Sequence, residues 1–580
     1  MDYIAAYKYW LENPYFDAET KKELEKIKDN SREIEERFYK DLEFGTGGLR
    51  GIIEAGTNRM NIYTVRKASQ GLANYISKKG EETKRKGIVI AYDSRNKSPE
   101  FALEAARTFA ANGIKAYLFD ELRPTPELSF AVRFLKTAAG IVVTASHNPK
   151  EYNGYKVYGE DGAQLSLEDS EIVLDEINSI ADITSINPMD KDEAVKNGLL
   201  QIVGSEIDNE YISSLKTLSI NPQVVKSVTD SMKIVYTPLH GTGNKPVRRV
   251  LADIGFKNIL VVKEQEMPDP EFSTVKSPNP EDTKAFELAI DLARNEDVDL
   301  IIATDPDCDR VGVVVRNSAG EYIPLSGNQT GCLLMEYILS QKKAKGELPQ
   351  NGFVIKTIVT TELARTIAGF YNTELIEVLT GFKFIGEKIK LMDEFGNKKY
   401  LFGFEESIGY LAGTFVRDKD GVVASMLIAE MGAYYRSRGM TLYDGLQEVY
   451  EKYGYYLDGI NAFTLQGKEG IDKIKAAMVK LRNDKHSEFG GYKISVIRDY
   501  LTGEKYYTAD GKKEKLTLPS SDVLYYEVDN GSWFCVRPSG TEPKLKIYFG
   551  VNDKDRGKAE NTLKKLQDSV VSIVKEMLYS

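Results

Sequence analysis

The sequence predicts an α/β protein built from three related α/β domains, each with a mixed and partly parallel sheet, and a smaller C-terminal α+β domain. Short apolar runs alternate with helical segments in three successive stretches, which is typical of sheets with parallel strands. The chain is also 580 residues long, which is more than one hydrophobic core accommodates. We place the domains at 1–207, 208–324, 325–455 and 456–580 and expect them to surround a central cleft.

The first stretch shows a β-α-β-α-β alternation. "GIVIAYD" predicts a buried strand, and "SPEFALEAARTFAANG" predicts a helix that Gly113 closes. A strand at 114–120, a helix near 126–136 and a strand at 140–146 complete the pattern. Before this stretch, the charged segment 20–42 predicts a helical N-terminus.

Two later stretches repeat the alternation in pattern, although not residue by residue. The second runs from "KIVYTPL" through a helix ending near Gly255, "NILVV" and a helix from Pro280 to "DLIIATD". The third contains "GFVIKTIVT", "TELIEV" and "YLFGFEES", with helices between them. The tail differs, because a helix near 468–482 precedes the strands "DVLYYEV", "GSWFCVRPS" and "KLKIYFGV" and a final charged helix.

Composition argues against several classes of partner. The net charge is −10 and the pI is near 5.3, whereas nucleic acid requires a broad basic surface. No apolar run reaches the roughly 18 residues of a membrane span, and the N-terminus lacks the apolar core of a signal peptide. The three cysteines are far apart in the sequence and are expected to be reduced thiols. We therefore expect a cytoplasmic protein that binds neither nucleic acid nor membranes, and an anionic ligand would need lysines and arginines concentrated in one place.

The segment "VDLIIATDPDCDR" carries three aspartates at alternate positions, Asp305, Asp307 and Asp309. Alternate side chains of an extended backbone face the same way, so the three carboxylates are expected to converge. Adjacent anions repel, and a hard divalent cation such as Mg²⁺ neutralises them. An EF-hand is a poor match, because Arg310 and Arg316 stand where it needs glycine and glutamate. A solvated acidic turn is the alternative interpretation.

A second polar loop lies within "GIVVTASHNPKEYNGYKVYG" (140–159), which passes from apolar strand to loop to strand. Ser146 lies at the end of the first strand, next to His147. Adjacent side chains of an extended strand point to opposite faces, so His147 is expected to be badly placed as a direct base for Ser146. A hydroxyl without an activating base is a weak nucleophile, and it makes better sense as a carrier of a group that it already holds. Taken alone, Ser146 also fits a capping serine in an ordinary loop.

The segment "RPSGTEPK" (537–544) follows a predicted strand and predicts a phosphate clamp. Arg537 offers a bidentate guanidinium, Ser539 and Thr541 offer hydroxyls, and Lys544 adds positive charge. Gly540 lets backbone N–H groups approach an anion closely. Short turns of this composition are also common without a ligand.

Two further motifs are weaker when taken alone. "FGTGGLRG" (44–51) places Arg50 on a glycine-rich turn, and no P-loop sequence occurs in the chain. "GFEESIGY" (403–410) has Glu405 and Ser407 two positions apart, which predicts one face carrying a carboxylate and a hydroxyl suited to sugar hydroxyls. By itself this pair also fits a helix N-cap.

Together these motifs resemble those of the α-D-phosphohexomutase superfamily, which comprises phosphoglucomutases and phosphomannomutases. "TASHNP" is similar to the family's phosphoserine loop, "DPDCDR" to its metal loop, "GFEES" to its sugar-binding loop and "RPSGT" to its phosphate-binding loop. The motifs follow the family's order, one per domain, across nearly the whole chain. The resemblance implies the family fold, a Mg²⁺ cofactor and phosphoryl transfer on a sugar phosphate.

The resemblance also implies roles for individual residues. Ser146 would be phosphorylated and would hold Mg²⁺ together with Asp305, Asp307 and Asp309. Further implied catalytic residues are Arg50 and Arg310 near the transferring phosphate, Lys156 for the proton, and His147. The implied substrate-binding residues are Thr380, Lys383, Glu405, Ser407, Lys419, Arg537, Ser539, Gly540, Thr541 and Lys544.

The segment "TGFKFIG" (380–386) matches the loop that distinguishes sugars in this superfamily. It carries Phe382, where dual glucose/mannose enzymes have histidine and many phosphoglucomutases have an aromatic residue. The resemblance therefore implies reversible interconversion of glucose 1-phosphate and glucose 6-phosphate, with glucose 1,6-bisphosphate as intermediate and activator, by a monomer or weak homodimer. The long phosphoserine segment also resembles relatives that act on pentose phosphates, so phosphopentomutase and phosphomannomutase activities stay open. The competing classes are a non-catalytic sugar-phosphate sensor and a metal-dependent phosphatase.

Overall fold

The computed structural model describes residues 2–45, 48–465, 467–484, 486–539 and 544–579. The chain divides into two compact units. The first comprises Met1–Gly327, Ile385–Gly403 and Ser407–Leu442. The second comprises Asn328–Phe384, Phe404–Glu406 and Tyr443–Ser580.

Helices occur throughout both units. They are α1 (Tyr3–Glu12), α2 (Ala18–Glu25), α3 (Ser31–Phe38), α4 (Ile62–Lys78), α5 (Glu81–Lys86), α6 (Ser98–Ala111), α7 (Thr125–Leu135), α8 (Leu167–Asn178), α9 (Lys191–Lys196), α10 (Ser205–Lys216), α11 (Pro222–Val228), α12 (Asn244–Ile254), α13 (Lys263–Glu266), α14 (Glu287–Glu296), α15 (Gly327–Ala344), α16 (Leu363–Phe370), α17 (Phe382–Phe395), α18 (Gly421–Ser437), α19 (Leu442–Tyr453), α20 (Gly467–Asn483) and α21 (Arg556–Tyr579). No described helix is both long enough and apolar enough to span a membrane.

The strands confirm the predicted alternation. They are β1 (Gly48–Ile52), β2 (Ile88–Tyr92), β3 (Ala116–Phe119), β4 (Ala139–Val143), β5 (Tyr152–Gly159), β6 (Leu200–Val203), β7 (Lys233–Thr237), β8 (Asn258–Val261), β9 (Leu300–Thr304), β10 (Val311–Arg316), β11 (Tyr322–Leu325), β12 (Gly352–Thr357), β13 (Glu374–Val378), β14 (Lys399–Glu405), β15 (Gly409–Leu411), β16 (Tyr455–Thr464), β17 (Glu488–Phe489), β18 (Tyr492–Asp499), β19 (Glu504–Tyr507), β20 (Lys513–Lys515), β21 (Leu524–Val528), β22 (Trp533–Pro538) and β23 (Lys544–Asp553).

The first sheet of unit one has the strand order β1-β5-β4-β2-β3-β6. Strand β2 pairs in parallel with β3 and β4, and β3 pairs in parallel with β6. Strand β5 returns antiparallel to β4 and also pairs antiparallel with β1. All five residues of β4 are buried, as expected of a strand covered on both faces. Helices α6 and α7 pack against β2 and β4. Because β2 and β4 are parallel neighbours, the loops that leave their carboxyl ends emerge together at one edge of the sheet.

The second sheet of unit one has the order β11-β10-β9-β7-β8. Strand β7 pairs in parallel with β8 and β9, whereas β10 is antiparallel to β9 and β11. Strand β9 is also buried along its whole length. Its carboxyl end leads directly into the predicted aspartate loop.

The second unit contains the parallel pair β12 and β13 and an antiparallel C-terminal sheet. That sheet has the order β16-β23-β22-β21-β18-β19-β20, with β17 paired to β18. Helix α21 packs against β16 and β23. This α+β arrangement confirms the predicted difference between the tail and the earlier stretches.

The predicted helical segment 20–42 contains two helices, because α2 ends at Glu25 and the Asn30 side chain accepts the N–H of Glu33 to cap α3. The helix predicted from Pro280 begins with a short 3₁₀ turn at Thr283–Phe286, and α14 starts at Glu287.

Candidate functional site

Ser146 lies in the loop between β4 and β5. It is 3% exposed, and its N–H donates to Thr144 Oγ1 over 2.8 Å. Its hydroxyl donates to Asp305 Oδ2 over 2.7 Å and lies 3.2 Å from His147 Nδ1. The loop after the first sheet is therefore in direct contact with the loop after the second sheet.

His147 faces the Ser146 hydroxyl, so the expectation that the two side chains point apart is wrong. That expectation assumed an extended backbone, whereas Ser146 has a φ of 52° and lies in the left-handed region. Burial lowers the pKa of His147 well below its ordinary value, and the nearby Arg310 and Arg50 lower it further. A neutral imidazole at this distance is suited to exchanging a proton with Oγ.

The three predicted aspartates converge, and all three are buried. One ligand atom from each of Asp305, Asp307 and Asp309 lies within 4.8 Å of the other two. The reason differs from strand alternation, because β9 ends at Thr304 and the aspartates lie in a turn. Cys308 adopts a φ of 53° within that turn, which bends the backbone around the carboxylates.

Neighbouring elements hold this turn in place. The N–H of Thr125, at the start of α7, donates to the Asp307 carbonyl over 2.9 Å, and Thr125 Oγ1 donates to Asp307 Oδ2 over 3.0 Å. Thr242, in the loop before α12, donates its N–H to the Pro306 carbonyl over 2.8 Å. The turn that carries the carboxylates is thus held by one segment that connects strands of the first sheet and by one that connects strands of the second.

Two lysines neutralise part of the cluster's charge. Lys156 Nζ lies 2.7 Å from Asp307 Oδ2 and 3.3 Å from Asp309 Oδ2, and Lys419 Nζ lies 3.2 Å from Asp309 Oδ2. Burial alone would raise the pKa of Asp309, but Lys419, Lys156 and Arg310 outweigh burial and leave the pKa lowered. Burial alone would lower the pKa of Lys156, but Asp307 and Asp309 leave it raised. Asp309 is therefore held as a carboxylate and Lys156 as a cation.

The remaining oxygens of the cluster fit a hard divalent cation. Burial raises the pKa of Asp305 well above its ordinary value, and the charges of Asp307 and Asp309 add to this shift. Within the part of the chain that the structure describes, the buried Oδ1 atoms of Asp307 and Asp309 have no hydrogen-bond partner. Buried carboxylate oxygens are rarely left without a partner, and oxygen donors of this kind suit Mg²⁺ or Mn²⁺.

Two arginines that the resemblance implied lie beside this cluster. Strand β1 places Arg50 opposite Gly154 of β5, and Arg50 Nη1 donates to Asn148 Oδ1 over 3.1 Å. The N–H of Arg310 donates to Asp305 Oδ1 over 3.0 Å. The acidic protein thus concentrates basic side chains around one serine and three aspartates, as expected of an acidic protein that binds an anion.

The described residues of the predicted phosphate clamp lie in the second unit, where β22 ends and β23 begins. Arg537 stands opposite Lys546 in the strand register, and Arg537 Nη1 donates to the Tyr548 hydroxyl over 3.4 Å. The Ser539 N–H donates to the Lys544 carbonyl over 2.7 Å. Gly540 and Thr541 lie outside the described residues.

The expected pairing of Glu405 and Ser407 on one strand face is not observed. Strand β14 ends at Glu405, and Ser407 lies in the turn that precedes β15, so alternation along a strand does not relate them. Glu405 is buried in the second unit, whereas Ser407 belongs to the first. Lys419, which was also expected to bind substrate, contacts Asp309 and Asp418 in unit one.

Two other implied substrate-binding residues lie around the start of α17 in the second unit. Thr380 follows β13, and its buried Oγ1 has no hydrogen-bond partner among the described residues. Lys383 Nζ lies 5.1 Å from the centroid of the Phe384 ring. Both residues belong to the segment 380–386 that was expected to distinguish sugars, and both side chains offer polar atoms there.

Sequence reasoning missed Glu406. Burial raises the pKa of Glu406 to about 7, Glu405 contributes to the shift, and Arg537 and Lys546 oppose it. Glu406 Oε2 accepts a hydrogen bond from Thr357 Oγ1 over 3.3 Å. The sequence signal was the second glutamate of "GFEES".

Arg95 was also missed. It follows β2, whose carboxyl end adjoins that of β4, and it contacts the Ser146 loop through its guanidinium. The available signal was "DSR" directly after a buried parallel strand, where ligand-binding loops of such sheets arise.

Family comparisons cover most of the chain. The four domain models described as Phosphoglucomutase/phosphomannomutase match in order: alpha/beta/alpha domain I at residues 41–183, alpha/beta/alpha domain II at 209–320, alpha/beta/alpha domain III at 326–453 and the C-terminal domain at 496–561. The chain belongs to the phosphoglucomutase/phosphomannomutase family. The exact domain limits after residues 207, 324 and 455 stay predictions.

Curated relatives extend over nearly the same length. A protein named phosphoglucomutase from Staphylococcus haemolyticus is 40% identical over 519 residues, which is 89% of this chain and 92% of the relative. A protein of the same name from Staphylococcus aureus is 40% identical over 522 residues, which is 90% of this chain and 91% of the relative.

Solved structures show the same fold at lower sequence identity. A putative phosphomannomutase from Thermus thermophilus has a TM-score of 0.67 at 21% identity, and the match covers 92% of this chain and 99% of that one. The phosphoglucomutase parafusin from Paramecium has a TM-score of 0.66 at 17% identity, and the match covers 93% of this chain and 95% of that one. The four-domain architecture predicted from the sequence is therefore confirmed.

The aspartate cluster generates a direct prediction for metal binding. Asp307→Asn should lower Mn²⁺ affinity by at least about 10-fold, since losing a ligand costs no less than losing a group that orients one. Isothermal titration of Mn²⁺ into the purified protein measures this. Asp41→Asn, which changes an exposed aspartate paired with Lys67, should bind Mn²⁺ like the unmodified protein. Equal affinity in the Asp307 variant would contradict the assignment.

Proposed function

We propose that this protein interconverts glucose 1-phosphate and glucose 6-phosphate through a phosphorylated Ser146 and a glucose 1,6-bisphosphate intermediate. The carrying observation is the position of the Ser146 hydroxyl, 2.7 Å from Asp305 Oδ2 and 3.2 Å from His147 Nδ1. A buried hydroxyl beside a candidate cation site and several basic groups is suited to lending and accepting a phosphoryl group. The curated relatives named phosphoglucomutase support glucose as the sugar.

The transfer step exchanges one bond for another. A hydroxyl of the bound sugar phosphate attacks the phosphorus carried on Ser146, an oxygen–phosphorus bond forms, and the bond from phosphorus to Oγ breaks. The sugar hydroxyl loses its proton, and Oγ regains one. In the direction that loads Ser146, the neutral His147 would accept the Oγ proton and the cationic Lys156 would donate a proton to the departing sugar oxygen. In the opposite direction, Lys156 would take the proton of the attacking hydroxyl, and His147 would return a proton to Oγ.

Positive groups around Ser146 would stabilise the transferring phosphoryl group. Arg50 and Arg310 would offset charge on its equatorial oxygens, as fixed donors do in preorganised sites. Asp305, Asp307 and Asp309 would hold Mg²⁺, which supplies Lewis-acid stabilisation of phosphoryl oxygens when bound. These roles rest on the cluster's geometry and on its two oxygens without partners.

Residues outside the Ser146 loop and the aspartate cluster would bind the part of the substrate that does not react. Arg537, Ser539, Gly540, Thr541 and Lys544 would hold the existing phosphate. Glu405 would contact sugar hydroxyls, as would Ser407, Thr380, Lys383 and Lys419. Because the bisphosphate must turn around between the two transfers, these contacts should accept either end of the sugar. The monomeric or weakly dimeric state and the cytoplasmic location stay predictions.

Ser146→Ala should abolish interconversion while leaving glucose 1-phosphate binding close to that of the unmodified protein, because only the carrier oxygen is lost. A coupled assay measures turnover, and isothermal titration measures binding. Ser170→Ala is the matched control, since Ser170 is buried and its Oγ has no described hydrogen-bond partner. Near-normal turnover by the Ser146 variant would contradict the carrier role.

A substrate panel tests the choice of sugar and the class of reaction. Glucose 1-phosphate, mannose 1-phosphate and ribose 1-phosphate are assayed side by side, with and without glucose 1,6-bisphosphate. We expect the highest kcat/KM for glucose 1-phosphate, stimulation by the bisphosphate and little release of inorganic phosphate.

Each other outcome identifies a different function. A lead for ribose 1-phosphate or mannose 1-phosphate would indicate a phosphopentomutase or a phosphomannomutase. Steady release of inorganic phosphate without the bisphosphate would indicate a phosphatase. Binding without turnover of any of the three sugars would indicate a sensor.

A further inference from the structure

The guanidinium of Arg95 donates hydrogen bonds to four backbone carbonyls of the Ser146 loop. Its Nη2 donates to the carbonyls of Ser146 and Asn148, each over 2.5 Å. Its Nη1 donates to the carbonyls of Pro149 over 2.8 Å and Tyr152 over 3.1 Å. The loop from the end of β4 to the start of β5 therefore folds around a single buried side chain.

The conformation of Ser146 needs such a constraint. Its φ of 52° is unfavourable for a residue with a Cβ, and such conformations persist only where the surrounding structure determines them. Thr144 Oγ1 accepts the N–H of Ser146, and Arg95 binds its carbonyl. Hydrogen bonds thus hold the peptide groups on both sides of Ser146. Because the backbone is fixed on both sides, the side chain points Oγ toward Asp305.

Arg95 is itself held in place. Its N–H donates to Asp93 Oδ1 over 2.9 Å, and its Nε lies 3.3 Å from Asp93 Oδ2. Its guanidinium carbon lies 5.0 Å from the centroid of the Phe272 ring. Neither charged side chain of the Asp93–Arg95 pair has any exposed surface, so the pair is a fixed part of the interior.

We propose that Arg95 is a positioning residue for phosphoryl transfer, which holds the loop so that Ser146 Oγ points at the aspartate cluster. The inference rests on the proposed carrier role of Ser146. A planar guanidinium can donate to four carbonyls from two nitrogens in one plane, whereas a lysine ammonium donates from a single atom. Arg95 acts through the loop, so its contribution belongs to the rate of transfer more than to substrate affinity.

The first test is steady-state kinetics of Arg95→Lys. We expect kcat to fall by about 100-fold, since a displacement of about 1 Å at a reacting group has that effect, while KM for glucose 1-phosphate changes little. Arg59→Lys is the matched control, because Arg59 is also buried and donates to the carbonyls of Glu36 and Asn58. Its kcat should stay close to that of the unmodified protein.

The second test asks whether the guanidinium group itself is required. Millimolar guanidinium added to Arg95→Ala should restore part of kcat by entering the vacated space, and it should restore none to Ser146→Ala. If the Arg95 variants do not fold, Asp93→Asn leaves the guanidinium present with a weaker hold and should lower kcat with KM little changed.

The possible results distinguish the positioning role of Arg95 from the carrier role of Ser146. Wild-type kcat in a folded Arg95→Lys variant, or equal losses of kcat in the Arg95 and Arg59 variants, would overturn the positioning role while leaving the carrier role intact. Wild-type kcat in Asp93→Asn would also count against the positioning role. If mass analysis of the unmodified protein exposed to glucose 1,6-bisphosphate finds no phosphoryl group on Ser146, the carrier role fails, and the Arg95 inference fails with it.

Discussion

Three buried carboxylates at the end of one strand are the constraint on which the first unit depends. Like charges held this close together in the interior are unfavourable unless cations or hydrogen-bond donors surround them. The chain supplies these from other elements: Lys156 on β5, Lys419 before α18 and Thr125 at the start of α7. The two sheets, helix α7 and the segment before α18 thus bring these groups to the loop after β9.

The same constraint accounts for the position of Ser146. Its hydroxyl donates to Asp305, so the loop after β4 completes the set of donors around the aspartates. Ser146 makes this contact in a left-handed conformation, which hydrogen bonds to Thr144 on one side and Arg95 on the other hold in place. Backbone hydrogen bonds thus hold the Ser146 hydroxyl beside a candidate cation site.

Much of this could be predicted from the sequence, because strand alternation and polar residues at strand ends are local signals. The convergence of Asp305, Asp307 and Asp309 was predicted, but its cause was not, since the turn with Cys308 at positive φ leaves no clear mark in the sequence. The orientation of His147 was predicted wrongly for the same kind of reason. Arg95 was missed because its partners are backbone carbonyls, which any residue supplies, so no pairing pattern reveals it.

The most direct test of the account follows one phosphoryl group. The protein is incubated with glucose 1,6-bisphosphate labelled in its phosphates, quenched rapidly and digested, and the labelled peptide is identified before and after a chase with glucose 1-phosphate. The account predicts label on Ser146 that passes to the sugar at least as fast as steady-state turnover. Label on a different residue, or transfer from Ser146 slower than turnover, would contradict it.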